Sequence, residues 1–190
     1  MTLNDLEQFA FSYNRAVYRL MASGRAAPSE QRLEDFEDSI DFRFPNDFRE
    51  FTLSPLGGLC YEVFDDLWVR PTEAEGPDDW RLLYGIKVFG IAAGVPEWLD
   101  LREELNALPP EETDLIPFMA RGDEPQRYCF DLDHQIVRWD PSNGKREIVE
   151  VGFYDLLFRE IEELEKRREL LTKKSAKKKT KKKRASKKKA

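Results

Sequence analysis

Histidine is nearly missing from this chain: His134 is the only one in 190 residues. Imidazole is the usual base near neutral pH and a common zinc ligand, so its scarcity removes most hydrolytic triads and multi-histidine metal sites. Cysteine is scarce as well. Two thiols, Cys60 and Cys129, do not make a disulfide framework for a chain this long, and both read as buried and reduced. No apolar run approaches the roughly 18 residues that a membrane helix needs. Met1-Thr2-Leu3-Asn4-Asp5 carries no basic leader. A cytoplasmic protein without membrane contact is therefore expected. Gly85, Gly90 and Gly94 are too widely spaced for a dinucleotide fingerprint, and Ser54, Thr113 and Ser142 lack a Gly-x-Ser-x-Gly setting.

Carboxylates are what the chain has in quantity. His134 follows Asp131 and Asp133, but the glycine and the later glutamate of a calcium loop are not at the required spacing. The group reads as a polar hairpin tip. Asp65-Asp66, Asp78-Asp79, Glu103-Glu104 and Glu111-Glu112 fall in polar loops or on helix faces, whereas a general-acid pair needs one desolvated carboxyl. No catalytic residue, metal or cofactor is expected, and the chain reads as a binding protein rather than an enzyme.

The formal net charge of −6 conceals a segregation. Residues 173–190 hold twelve basic side chains, eleven Lys and Arg184, and no acid. Removing those twelve from the total of 31 leaves 19 basic against 37 acidic residues in 1–172, a body near −18 beside a tail near +12. Such a body repels phosphate surfaces and attracts basic proteins. Trp68 and Trp80 flank the acidic stretch Pro71–Asp79, punctuated by Gly76-Pro77. Indoles beside carboxylates can anchor a partner's Lys and Arg side chains. Asp65, Asp66, Trp68, Asp78, Asp79 and Trp80 are thus the expected protein-binding surface. The competing reading packs both indoles in the core.

The tail is low-complexity Lys, Ala, Ser and Thr, expected to stay disordered through like-charge repulsion. Its centre, Lys177, Lys178, Lys179, Lys181, Lys182, Lys183 and Arg184, can neutralise phosphates in a salt-sensitive, sequence-independent way. It lacks interleaved aromatics for base stacking. Contact with acidic protein surfaces is the alternative.

Periodicity divides the rest. Leu6, Phe9, Tyr13, Val17 and Leu20 recur at helical spacing and predict a helix over 4–21. Ser29 caps a second, short helix bearing Leu33 and Phe36, and Pro45 suits the first turn of a third, which carries Phe48 and Phe51. Cys60–Val63, Leu67–Val69 and Leu83–Ile91 read as strands, and Pro96–Leu108 as a helix with Trp98, Leu101, Leu105 and Leu108 on one face. In 127–132, Tyr128, Phe130 and Leu132 alternate with Arg127, Cys129 and Asp131, and in 135–139 Val137 and Trp139 share a face. Asp140-Pro141-Ser142-Asn143-Gly144 turns the chain back. A last helix follows over 151–171, with Phe153, Leu157, Ile161 and Leu164 as its stripe.

The order Ile-Pro-Phe, Gly-Asp, Tyr-Cys-Phe-Asp-Leu, Ile-Val-Arg-Trp-Asp, Gly, Phe-Tyr-Asp-Leu-Leu over 116–157 resembles the SUKH superfamily, which includes the yeast Smi/Knr cell-wall regulators. Phe44-Pro45-Asn46-Asp47-Phe48-Arg49-Glu50-Phe51 followed by Leu56-Gly57-Gly58 is similar to that family's upstream motif. There Phe44 replaces the usual Leu, and Leu56 stands where Asn is common. Pro45, Phe48, Phe51, Gly57, Tyr128, Phe130, Asp131 and Trp139 carry the pattern. The resemblance implies an α+β fold: N-terminal helices, a mainly antiparallel meander and a C-terminal helix packed on it, as a single domain over 1–171 with a tail from 172 to 190. It also implies a non-catalytic role. Family members are known as immunity proteins that neutralise bacterial toxins, many of them nucleases, and as intracellular interaction modules. The expected partner is then a basic toxin or nuclease, bound by a monomer. A regulatory adapter tethered to nucleic acid by its tail is the second expectation.

Overall fold

The computed structural model describes residues 1–68, 85–110, 112–122 and 124–187, with 174–187 described as backbone. Its centre is a seven-stranded antiparallel sheet in which each strand pairs with its neighbour in sequence. The strands are β1 (Tyr18–Met21), β2 (Cys60–Val63), β3 (Ile86–Val88), β4 (Leu115–Arg121), β5 (Arg127–Asp131), β6 (Ile136–Asp140) and β7 (Lys145–Ile148). Helices α1 (Leu3–Ser12), α2 (Glu30–Ser39), α3 (Asn46–Leu53), α4 (Leu101–Asn106) and α5 (Phe153–Lys187) complete it. The α+β arrangement, with N-terminal helices, a meander and a C-terminal helix laid on the sheet, is the one the sequence pattern implies.

Period-two alternation places Tyr128 and Phe130 of β5 on one face of the sheet, where Phe118 of β4 joins them. Phe118 and Phe130 stack at 4.2 Å between centroids, and Phe48 of α3 meets both rings, at 5.7 and 5.4 Å. Phe153, the first residue of α5, closes edge-on against Phe48 at 5.2 Å. Each such pair adds about 0.5–1.5 kcal/mol beyond the area it buries. The helix approaches because Asp47 bridges two helix starts: it accepts from the Phe48 amide at 2.8 Å and from the Phe153 amide at 3.2 Å. On the opposite face Leu115, Cys129 and Trp139 form a smaller cluster, covered by Leu108 just after α4.

Three elements differ from the periodic pattern. The expected 4–21 helix ends at Ser12, and Tyr18–Met21 is the first strand. Asn14 makes the break: its carbonyl accepts from the Val17 and Tyr18 amides, and its side chain accepts from the Ala16 amide. Apolar residues that share a helical face at 13, 17 and 20 instead serve a turn and an alternating strand. Asp65–Leu67 is a 3-10 turn where a strand over 67–69 is expected, and Val69 lies outside the described residues, as do Leu83 and Tyr84 of the next expected strand. The helix expected over 96–108 splits into a 3-10 turn, Glu97–Leu99, and α4, because the Asp100 carboxylate caps the Arg102 amide at 2.9 Å. Trp98 is consequently 44% exposed and lies under the Lys87 ammonium, 5.4 Å from its ring centroid.

The last helix does not stop at Leu171. Its backbone runs on to Lys187, through the segment expected to be disordered. Lys, Arg and Ala are strong helix formers, and a helix already nucleated on the sheet adds residues without a new nucleation cost.

Candidate partner-binding surfaces

Asp65 and Asp66 follow β2 after Phe64 and are exposed on their 3-10 turn. Trp68 is placed differently: it is only 7% exposed, and its indole N–H donates to the Val63 carbonyl at 2.8 Å. It anchors the turn to the core instead of offering a ring to a partner. Asp78, Asp79 and Trp80 lie outside the described residues. The surface expected from sequence is thus represented by two solvent-facing carboxylates and one buried anchor.

The motif residues are mostly interior. Pro45 stands at the N-cap of α3, and Phe48 and Phe51 are fully buried. Tyr128 and Phe130 face the main core, and Trp139 faces the smaller cluster. Asp131 holds the β5–β6 turn, accepting from the Asp133 amide at 3.0 Å and the Gln135 amide at 2.8 Å. Gly57 is dictated by space, since a Cβ there would stand 2.5 Å from the Thr52 carbonyl oxygen.

Buried ionisable groups are structural. Burial acts to raise the pKa of Glu37, but Arg49, the Phe44 amide (2.9 Å) and Arg43 (2.8 Å) outweigh it and hold the carboxyl below its ordinary value. That knot ties α2 to α3. Glu62 is raised, because burial exceeds what its partner Arg19 returns. Burial pushes the Cys60 thiol up to about 12 and that of Cys129 higher still, so neither is a ready nucleophile. Among the described residues, no group of three or more His, Cys, Asp or Glu is placed to hold a metal ion. No helix among them is long and apolar enough to cross a membrane.

Sequence reading misses one feature altogether. A solvent-open groove of about 230 Å³ lies where β7 leads into α5, lined by residues that include Pro45, Asp47, His134, Ile148, Glu150 and Val151. His134 sits at positive φ (62°) in the β5–β6 turn, with its ring edge-on to Phe42 at 5.1 Å. The groove joins α3, a hairpin tip and a loop distant in sequence, so no local pattern announces it.

The model of the SMI1 / KNR4 family (SUKH-1) matches residues 27–159, well over half of the chain. The chain belongs to that family. The match spans α2 to the first turns of α5 and omits the Lys-rich segment. No curated protein matches the chain.

Proposed function

We propose that the protein is a non-catalytic binding module that captures a basic protein partner, and that its specific role is to neutralise a toxin. Membership of a family whose members are often immunity proteins supports this reading. The observation that carries it is the charge of the body: 37 acidic residues against 19 basic ones in 1–172. The mechanism is occlusion. Exposed carboxylates such as Asp65 and Asp66 meet the cationic surface with which a nuclease holds its substrate, and long-range attraction accelerates the encounter. Buried pairs then set specificity more than affinity.

The test is capture of a panel of basic nuclease toxins by the wild type and by the Asp65→Lys/Asp66→Lys and Asp78→Lys/Asp79→Lys variants. Association should slow steeply with added salt and with charge reversal. A capture rate indifferent to both would move the interface elsewhere.

The basic segment favours a second reading, a regulatory adapter held on nucleic acid or another polyanion. Lys173 to Lys187 continue the same helix that packs on the sheet. At 1.5 Å per residue they extend it by about 22 Å. Titrating DNA into the full chain and into residues 1–172 at several salt concentrations tests it. Steep salt dependence lost on truncation supports tethering, and equal binding by the two forms overturns it.

A further inference from the structure

β7 is the last strand of the meander and, among the described residues, pairs with β6 alone. In an antiparallel ladder alternate residues face the neighbouring strand. Val149 donates to the Ile136 carbonyl at 2.8 Å, which fixes the phase: Val149 and Glu147 face β6, while Arg146 and Ile148 turn their backbone N–H and C=O outward. Edge strands are usually protected by charged side chains. Here most of that charge is already engaged. Arg146 binds Asp114 and Glu112 on one face of the sheet, and Glu147 binds Arg138 at 2.6 Å on the other. The apolar side chain between them and the loop is Ile148, 60% exposed, with Val151 exposed nearby.

The groove described above opens beside this edge. Its volume of about 230 Å³ is below the roughly 300–1,000 Å³ of small-molecule sites, so it suits one or two side chains and not a cofactor. Its walls are mainly apolar, its carboxylates are Asp47 and Glu150, and among the described residues no Lys or Arg lines it. Unpaired strand backbone, an apolar slot and two acids specify one kind of occupant.

We propose that β7 and this groove take an extended segment of a partner protein as an added strand, one aliphatic side chain entering the slot and a Lys or Arg meeting Glu150 and Asp47. This deepens the partner-binding reading and rests on it. Backbone pairing supplies the attraction common to any strand, and the slot with its acids selects the side chains.

The probe is a capped eight-residue peptide of alternating Val and Lys, added to the full chain and followed by amide hydrogen exchange. In the free protein the Arg146 and Ile148 amides should exchange fast, and those of Glu147 and Val149 slowly. With peptide, Arg146 and Ile148 should slow at least about tenfold, the scale of one hydrogen bond worth about 1.4 kcal/mol. Ile148→Pro removes an outward N–H without touching the β6 ladder and should cost a similar factor in affinity. Glu150→Lys should weaken binding, and a Val–Glu peptide should not bind. Should Ile148→Pro fail to fold, a peptide N-methylated at alternate amides makes the same test on the unaltered protein. Equal affinity for the proline variant or the methylated peptide, or protection confined to other strands, overturns the proposal. Capture of a basic protein that survives Ile148→Pro overturns the groove alone and leaves the partner-binding reading standing. Absence of binding by every basic protein and peptide removes both.

Discussion

Glu160 of α5 and Arg121 of β4 form a two-pronged ion pair across the main core, Arg121 donating through Nε and, at 2.9 Å, through Nη2. The Tyr128 hydroxyl donates to the same carboxylate at 2.8 Å, so one side chain joins the helix to two strands. Its side chain is 1% exposed. Removing one partner of such a pair leaves a buried charge uncompensated. Glu160→Gln should therefore destabilise the protein by about 3 kcal/mol in urea unfolding, the lower end of the usual range because Arg121 is 26% exposed. Glu160→Met with Arg121→Met should recover most of that loss, since neither charge then remains buried.

The same pair fixes a pH dependence. Burial acts to raise the Glu160 pKa, but Arg121 and Tyr128 overcome it, and the folded carboxyl titrates below its ordinary value. Glu37 is lowered in the same sense by Arg49, the Phe44 amide and Arg43 against burial. Between the folded and unfolded values the unfolded chain binds more protons, so both contributions are complete above about pH 5 and are lost as pH falls through the folded values. Glu62, raised by burial, works in the opposite direction. The difference in unfolding free energy between wild type and Glu160→Gln should hence be largest near pH 7, at about 3 kcal/mol, and shrink as pH falls below about 5 toward 3. A gap that stays constant over that range would assign the loss to packing.

Much of this fold is legible in the sequence because its segments bury one face each. Tyr128 and Phe130 alternate with Arg127 and Cys129, and the strand follows the alternation. Phe153, Leu157, Ile161 and Leu164 recur at helical spacing, and all four are buried. The pattern misleads where one spacing serves two structures: Tyr13, Val17 and Leu20 fit a helix, and only the Asn14 carbonyl and side chain reveal the turn that begins β1. Trp68 follows the competing reading, an indole packed in the core, and what sequence does not carry is the partner that fixes it there, the Val63 carbonyl. The groove at Ile148 depends on Pro45, His134 and Val151 meeting in space, and sequence carries no trace of that.

Gly57 tests the upstream motif directly. It lies in the turn after α3, where its carbonyl accepts from the Ser23 amide at 3.0 Å and its amide donates to the Ser54 carbonyl at 3.1 Å. A methyl group there would crowd the backbone carbonyl of Thr52, which cannot swing aside as a side chain can. Gly57→Ala should cost about 2 kcal/mol, within the range for a forced backbone adjustment. Gly152 is the control, because a Cβ there meets nothing within 4 Å. Gly152→Ala should stay within about 0.5 kcal/mol of wild type in the same urea titration.

The basic extension of α5 should be separable from the body. Leu164 is the last fully buried apolar residue of the helix, and Leu171 the last that packs against the core. Ending the chain at Thr172 keeps that whole face, so unfolding free energy should change by less than about 0.5 kcal/mol. Helical ellipticity should fall nonetheless, because Lys173 to Lys187 are helical in the full chain. Like charges three and four residues apart oppose that helix, and salt screens them. The ellipticity difference between the full chain and residues 1–172 should thus grow as salt is raised from about 0.01 to 1 M, over which the screening length falls from about 30 to 3 Å. A difference that shrinks with salt would instead mean that the acidic residues of the body hold the segment helical.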